Sequence, residues 1–478
     1  MPSIKAKRNQ MYLLPPVLDD WILSNHPARF IVCFVESLDL KQMGFKQAPE
    51  EGRPPYDNDM LLSIWLYGLM KNVRSTRKLE NSLYDSIAMK WITGDERPDH
   101  NTLWRFFNDN RDKIKEVFKG TVNMAIDYKM VGFELQAIDG TRIMADVNND
   151  KTITEKGQKK RLVKIEKEIE AIMSEIEKSG KEAEENGDSK NDYGIPKELL
   201  DKEEMRKAIK ASLEMLKKEG QKEKNPTDKE ARFMKVRGAG IKQGYNAQAV
   251  VDSKNQIITG AELNNISSDS KELTKMIKEA EKNTETEAKE TLVDKGYYSA
   301  EEIAKAAELK KNVIISFANK SKKGKFAKSN FKYNKSKDEY ICPEGKRLTY
   351  GGAIIRKDRG NKKEYTYICR DYCDCKNHKE CTKSKRGRVI KTINEEQLIN
   401  EMKERAAAEN WKEKLKARGK IVEPIFAHVK ERLGLRRFSV RGMYKAKVQW
   451  FITCAVYNLK KIYGYQLNYK ARLRLPET

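Results

Sequence analysis

The chain has 478 residues, 38% hydrophobic and 35% charged, which is core enough for roughly two to four domains and too apolar for global disorder. Lys and Arg total 96 against 71 Asp and Glu, and the resulting net charge of +25 favours a polyanionic partner, most simply nucleic acid. The basic N-terminus, Met1 to Arg8, lacks the apolar segment of a secretory signal, and no apolar run approaches the roughly 18 residues of a membrane span. The expectation is a cytoplasmic, nucleoid-associated protein with no membrane partner, in which the seven cysteines stay reduced.

Residues 1–132 read as a helical domain. Apolar residues at helical spacing run from Leu18 to Met43. Pro54-Pro55-Tyr56-Asp57 starts a second helix, Asn58 to Lys71, and Ser75-Thr76 caps a third that reaches about Trp91. Arg97-Pro98-Asp99 before Thr102-Leu103-Trp104-Arg105-Phe106-Phe107 is an N-terminal signature for a fourth. Short helices studded with Lys and Arg suit a helix-turn-helix-like DNA-binding bundle. Trp104, Phe106 and Phe107 read as core residues before they read as base-stacking ones.

The fold class expected beyond this point is α/β, a mixed sheet flanked by helices. Residues 133–152 and 231–318 form the first part of that core. Strands are expected at Phe133 to Met144, Tyr245 to Val251 and Gln256 to Leu263, with a hairpin turn at Asp252-Ser253-Lys254-Asn255. A helix over Asp269 to Ala280, a strand at Thr291 to Val293, a helix from Ser299 to about Leu309 and a strand at Asn312 to Phe317 complete it. Residues 153–230 are an insertion. Leu162, Ile165, Ile169, Ile172 and Ile176 form one heptad seam, and Leu199, Met205, Ile209, Leu213 and Leu216 a second amphipathic helix, which together predict an antiparallel helical hairpin.

Residues 319–400 form a basic, Cys-rich insertion. Phe326, Phe331 and Tyr333 are interleaved with lysines, as in nucleic-acid-binding loops. Cys342, Cys369, Cys373, Cys375 and Cys381, with His378 among them, suggest a structural Zn²⁺, although the spacing is irregular and contains no CxxC pair. Reduced thiols in a small β-rich insert are the competing reading, and Cys33 and Cys454 read as core. Residues 401–478 are C-terminal helices completing the core. The pattern is helical from about Gln397 to Leu433, with a start expected near Glu423 because Pro424 suits a first helical position. Tyr444 to Ile462 is the last helix.

The chain has no P-loop, no GxSxG and no HExxH, and only four histidines, which disfavours nucleotide hydrolysis and His-based catalysis. What remains is carboxylates at the ends of apolar strands. Asp139 ends the run Gln136-Ala137-Ile138, where an acid at a sheet edge can hold a metal. Asp294 follows Thr291-Leu292-Val293, and Glu423 follows Ile421-Val422. Phosphodiester chemistry at neutral pH needs an activated hydroxyl and a means of holding charge on phosphorane oxygens. Two Mg²⁺ ions roughly 3.5–4 Å apart supply both, held by two or three acids. Taken singly, each acid also reads as a turn former, a helix cap or a surface charge, and Asp146, Asp252 and Asp269 are nearby alternatives.

Here the chain resembles the DDE transposases of bacterial insertion sequences. Tyr56 to Leu61 through Arg97 to Thr102 is similar to their helical N-terminal domain. Ala137-Ile138-Asp139-Gly140-Thr141 is similar to the block of the first acid, Val293-Asp294-Lys295-Gly296-Tyr297 to the second, and Val422-Glu423-Pro424-Ile425-Phe426 with Lys430 to the third. The Cys-containing segment, and Arg437-Phe438 with Arg441-Gly442, match one subgroup. The tyrosine and arginine that the family often places before the glutamate are replaced by Lys416 and Gly419, with Arg418 one residue away.

The resemblance implies an RNase H-like core and a transposase that binds terminal inverted repeats, cleaves DNA and transfers the strand. It implies Asp139, Asp294 and Glu423 as catalytic residues holding two Mg²⁺ (or Mn²⁺) ions, and Arg142, Arg418, Lys430, Arg437 and Arg441 as DNA contacts. Partners would be double-stranded transposon ends and target DNA, with a homodimer in the synaptic complex. The alternatives are a catalytically inactive transposase-derived DNA-binding protein and a zinc-dependent scaffold protein.

Overall fold

The computed structural model describes residues 17–46, 55–185, 196–315, 324–334, 336–356, 362–384, 386–393 and 409–473. The N-terminal extreme, the predicted helical stretch 397–408 and residues 316–317 of the last core strand lie outside them.

The first helices are α1 (Pro27–Glu36), α2 (Asn58–Met70), α3 (Thr76–Asp85), α4 (Ile87–Thr93), α5 (His100–Asp109) and α6 (Ile114–Asp127). The expected helix over Leu18 to Met43 is shorter than its apolar pattern. Pro27 stands in the first turn of α1 and His26 caps it through Nδ1, which accepts the Ala28 N–H at 3.2 Å. The expected third helix is two. Ser86 is extended, with ψ 117°, and its hydroxyl accepts the Met89 N–H, so a capping serine starts α4 inside what reads as one run. Asp99 caps α5 through Thr102 N at 2.7 Å. Phe106 is buried and Phe107 packs on Trp65 with centroids 4.6 Å apart, but Trp104 is 55% exposed, contrary to its core reading. Cys454 is buried and Cys33 exposed, so of those two only the former is core.

The main sheet contains β1 (Leu135–Met144), β4 (Arg232–Val236), β5 (Gly240–Asp252), β6 (Ile258–Asn264), β7 (Glu290–Val293) and β8 (Val313–Ile315). A two-residue pair, β2 (Ile153–Thr154) and β3 (Glu223–Lys224), closes the base of the insertion. β5 is the longest strand, antiparallel to β1 on one side and to β4 and β6 on the other, and β7 and β8 continue from β1 in parallel. Alternation sorts the faces. Ala137, Ile143, Ala247, Ala249 and Val251 join a large core shared with the N-terminal helices and the C-terminal ones. Ile138 and Val250 face the opposite way, onto α9 (Leu273–Thr284) and α10 (Ala300–Glu308).

The insertion is the expected helical hairpin, α7 (Glu155–Glu185) and α8 (Lys197–Lys218). Ile165, Ile169 and Ile209 are buried between them, whereas Ile176 and Met205 are exposed, so the seam is dry only near the sheet. A second sheet, wholly antiparallel, runs in the order β13 (Val389–Ile393), β12 (Lys362–Cys369), β11 (Arg347–Arg356), β10 (Glu339–Ile341), β9 (Lys332–Asn334), with the single turn α11 (His378–Cys381) after β12.

The chain ends with α12 (Glu409–Ala427), a π-helical turn over His428–Arg432, and α13 (Met443–Leu473). Pro424 does not begin a helix but lies inside α12. Proline removes the N–H that would bond to the Lys420 carbonyl. That carbonyl instead accepts Gln256 Nε2 at 2.9 Å, and Lys461 Nζ holds Gln256 Oε1 at 2.9 Å. A side chain from the β5–β6 turn thus supplies what the proline withholds, and α12 passes unbroken across the sheet. Among the described residues no helix is long and apolar enough to cross a membrane.

Candidate active site

β7 pairs with β1 only over Leu135–Ile138, and β7 itself ends at Val293. Asp139 and Asp294 are the next residues on two adjacent parallel strands. The strand expected over Phe133 to Met144 is β1, Leu135–Met144, so Asp139 ends an apolar run but not its strand. β1 runs on to Met144, paired to β5, and Asp139 lies opposite Ala249. The acid is accessible because the neighbour on its other side has stopped, not because its own strand has.

Asp139 is only 22% exposed at its side chain and accepts two hydrogen bonds, from Gly140 N at 2.8 Å and from Arg418 Nη1 at 2.8 Å. Burial pushes its carboxyl above the ordinary range, the Arg418 charge and hydrogen bonds oppose this, and the charge of Asp294 adds to it. Asp294 caps the 3-10 turn Lys295–Tyr297 and accepts the Lys295 N–H at 2.7 Å. Glu423, exposed on α12, lines with Asp139, Arg142 and Lys430 an open cleft of about 1220 Å³. A Cβ on Gly419, one turn earlier, would stand 3.4 Å from Glu423 Oε1, so the glycine leaves that carboxylate room.

Behind Asp139, on the α9 face, is a buried polar network that sequence reading does not reveal as a unit. Asp269 accepts from Gln248 Nε2 (2.6 Å), Asn246 Nδ2 (2.7 Å) and Arg142 Nη2 (2.8 Å), and the Tyr297 hydroxyl donates to Gln248 Oε1. Burial pushes the Tyr297 hydroxyl pKa up, and the Asp269 and Asp139 charges reinforce it. Gly140 is packed against this network. An added Cβ would meet Gln248 Nε2 at 2.4 Å, Asn246 Oδ1 at 2.9 Å and Asp269 Oδ1 at 3.0 Å. The visible clue was Asn246 and Gln248, two amides spaced to share one face of a buried strand.

The named cations have distinct places. Arg142 is bound to Asp269 and to Ser267 O at 2.7 Å. Arg418 is bound to Asp139. Lys430 sits half-buried in the π turn, where burial, then Arg237, Arg436 and Arg142, lower its pKa. Arg437 donates to Val147 O at 3.4 Å, and Arg441 pairs with Asp146 at 3.0 Å, both beyond the C-terminal end of β1. The remaining acids have structural partners as well: Asp252 accepts the Gly132, Phe133 and Lys254 N–H groups. Among the cysteines, Cys342, Cys369, Cys375 and Cys381 line one small cavity, and Cys373 is exposed outside it. Burial raises the Cys369 and Cys381 thiols, and the nearby Cys342 and Cys375 raise them further. Among the described residues no three His, Cys, Asp or Glu side chains are set to hold an ion.

Residues 341–463 match the family model of the transposase DDE domain, and residues 16–109 match a transposase domain family, DUF772. Both matches are to transposase families, which is consistent with a DDE transposase of an insertion element. The first match holds Glu423 and Lys430 on α12 and its π turn, together with most of the Cys-rich sheet. The second holds α1 to α5. No curated protein and no solved structure matches the chain.

Proposed function

We propose that the chain binds the terminal inverted repeats of its element and catalyses metal-dependent strand cleavage and strand transfer. The observation that carries this is the juxtaposition of Asp139 and Asp294 beyond a shared parallel ladder, with Glu423 facing the same cleft as Asp139. The sheet order β6-β5-β1-β7-β8, its first three strands antiparallel and its last two parallel to β1, supports an RNase H-like core.

The donor set fits a hard cation: three carboxylates, one of them buried at a strand and none with a soft neighbour. Asp139, Asp294 and Glu423 would hold Mg²⁺ or Mn²⁺, two ions, which supply an activated water and neutralise charge on the phosphate. The protein contributes position. The Tyr297–Gln248–Asp269 network fixes the backbone at Gly140, and Lys430 with Arg237 brings positive charge to the cleft wall. The Arg418 guanidinium pairs with Asp139 and offsets its charge, and Asp139 would have to give up this partner to hold a metal ion. At the element end the P–O3′ bond breaks and water supplies the new oxygen on phosphorus; the freed 3′-hydroxyl then attacks a target phosphorus, whose own P–O3′ bond breaks and leaves a target 3′-hydroxyl. Two ends held together imply a homodimer.

The Arg418–Asp139 pair is also what favours a second reading, a DNA-binding relative without catalysis. Asp139→Ala separates them. Under the catalytic reading it abolishes end cleavage in Mg²⁺ while end binding persists. Equal cleavage by wild type and variant would refute the assignment.

A further inference from the structure

The sheet β9 to β13 has a small core, made of Phe331, Tyr340, Leu348, Tyr367, Cys369 and Ile390. A unit with so few buried side chains rarely holds its shape without a staple. Four thiols stand where a staple would act. Cys342 follows β10, Cys369 ends β12, Cys375 lies in the turn after it, and Cys381 ends α11. With His378 and Arg388 they line one cavity of about 20 Å³, room for about a single water-sized atom.

Two details of this cavity suit sulfur as a metal ligand. The Sγ of Cys342 accepts the Lys346 backbone N–H at 3.2 Å. The turn is closed by Gly345 N–H to Cys342 O at 2.9 Å and Cys342 N–H to Lys346 O at 2.8 Å, with Gly345 at φ +78°. A backbone N–H aimed at sulfur stabilises its anionic form and orients it as a ligand. The second detail is Arg388. Its Nη1 donates to Cys381 O at 3.2 Å, but its Nε is buried and has no hydrogen-bond partner among the described residues. A buried donor without an acceptor is costly, and a thiolate would satisfy it while the guanidinium offsets excess negative charge. His378 Nε2 is engaged with Ser384 O at 3.1 Å, which leaves Nδ1 as its free ring nitrogen, but four thiols already make a closed donor set without it.

The geometry points to a structural Zn²⁺ site formed by Cys342, Cys369, Cys375 and Cys381, with Cys373 excluded and Arg388 as its charge-compensating neighbour. Four soft donors and no open position are what a structural zinc takes, and the oxygen donors of the cleft are of the wrong kind to compete. Among the described residues no three of these side chains are set around an ion, so zinc binding would require the sulfurs to turn toward it and would release the thiol protons to solvent.

The test is metal analysis of the full chain expressed with zinc in the medium. One equivalent of Zn²⁺ is expected, and exchange with Co²⁺ should give the sulfur-to-cobalt charge-transfer absorption of a tetrathiolate site. Cys373→Ser keeps both, whereas Cys342→Ser and Cys381→Ser lower zinc content and change the cobalt spectrum. Because those variants can fail through misfolding, thiol titration of the folded wild type is the second measurement. Cys342, Cys369, Cys375 and Cys381 should be slow to react until a chelator is added. Wild-type protein without zinc or a cobalt band, a disulfide between any two of the four, or equal metal loss in Cys373→Ser and Cys342→Ser would overturn the site.

Discussion

Gly140→Ala tests whether the first acid is positioned by the network behind it. In most strands a Gly→Ala change with compatible backbone stabilises by about 0.4–1 kcal/mol, because the unfolded chain loses freedom. Gly140 does not have positive φ, so its backbone accepts alanine. The surroundings do not. The new methyl would lie 2.4 Å from Gln248 Nε2 and within 3.0 Å of Asn246 Oδ1 and Asp269 Oδ1. The Gln248 and Asp269 atoms are buried and bonded to each other at 2.6 Å, so neither is a free end that can swing aside. Relief of about 1 Å breaks at least one hydrogen bond to a charged group, at about 1.5–3 kcal/mol, with overpacking added. We expect a net loss of about 3 kcal/mol, near a hundredfold in the folded-to-unfolded ratio, measured by urea or guanidinium unfolding with unchanged m. A neutral or stabilised variant would refute the reasoning.

Tyr297→Phe should cost about 1–3 kcal/mol in the same assay, because it leaves Gln248 Oε1 buried without its donor. Arg418→Ala should make stability more pH-dependent. Asp139 already has a raised carboxyl pKa through burial, so its folded form favours the proton, and stability falls as pH rises through that folded value. Removing the guanidinium moves the folded pKa further up and widens the window over which stability is lost, and Asp139→Asn in the same background should flatten the slope. Lys430→Ala should weaken DNA binding about equally across sequences and reduce the salt slope by about 1. A change confined to one base pair would contradict the phosphate role.

The periodic parts of the chain were the legible ones. The α2 helix, β1, the β5–β6 hairpin and the seam of Ile165 and Ile169 all repeat a local pattern that burial imposes directly. Three features were not legible, each because its cause is distant in sequence. Pro424 reads as a helix start, since nothing nearby announces that Gln256 will satisfy Lys420 O. The accessibility of Asp139 in mid-strand was not legible, because it depends on where β7 stops. The cysteines stand out as a group, but their irregular spacing does not tell which of them share a cavity; the order of β10 to β12 brings Cys342 and Cys369 together. The β4 strand was missed for a local reason: Phe233 and Met234 are too short an apolar signal before the Gly238–Gly240 turn.

The central claim is that three acids from separate parts of the chain act on one phosphodiester. Its most direct test is cleavage of a labelled duplex carrying the inverted repeats that flank the reading frame, in Mg²⁺ or EDTA, by wild type and Glu423→Gln. The account predicts nicking at the element end that requires metal and is lost in the variant while binding is kept. Metal-independent nicking, or undiminished nicking by Glu423→Gln, would contradict it.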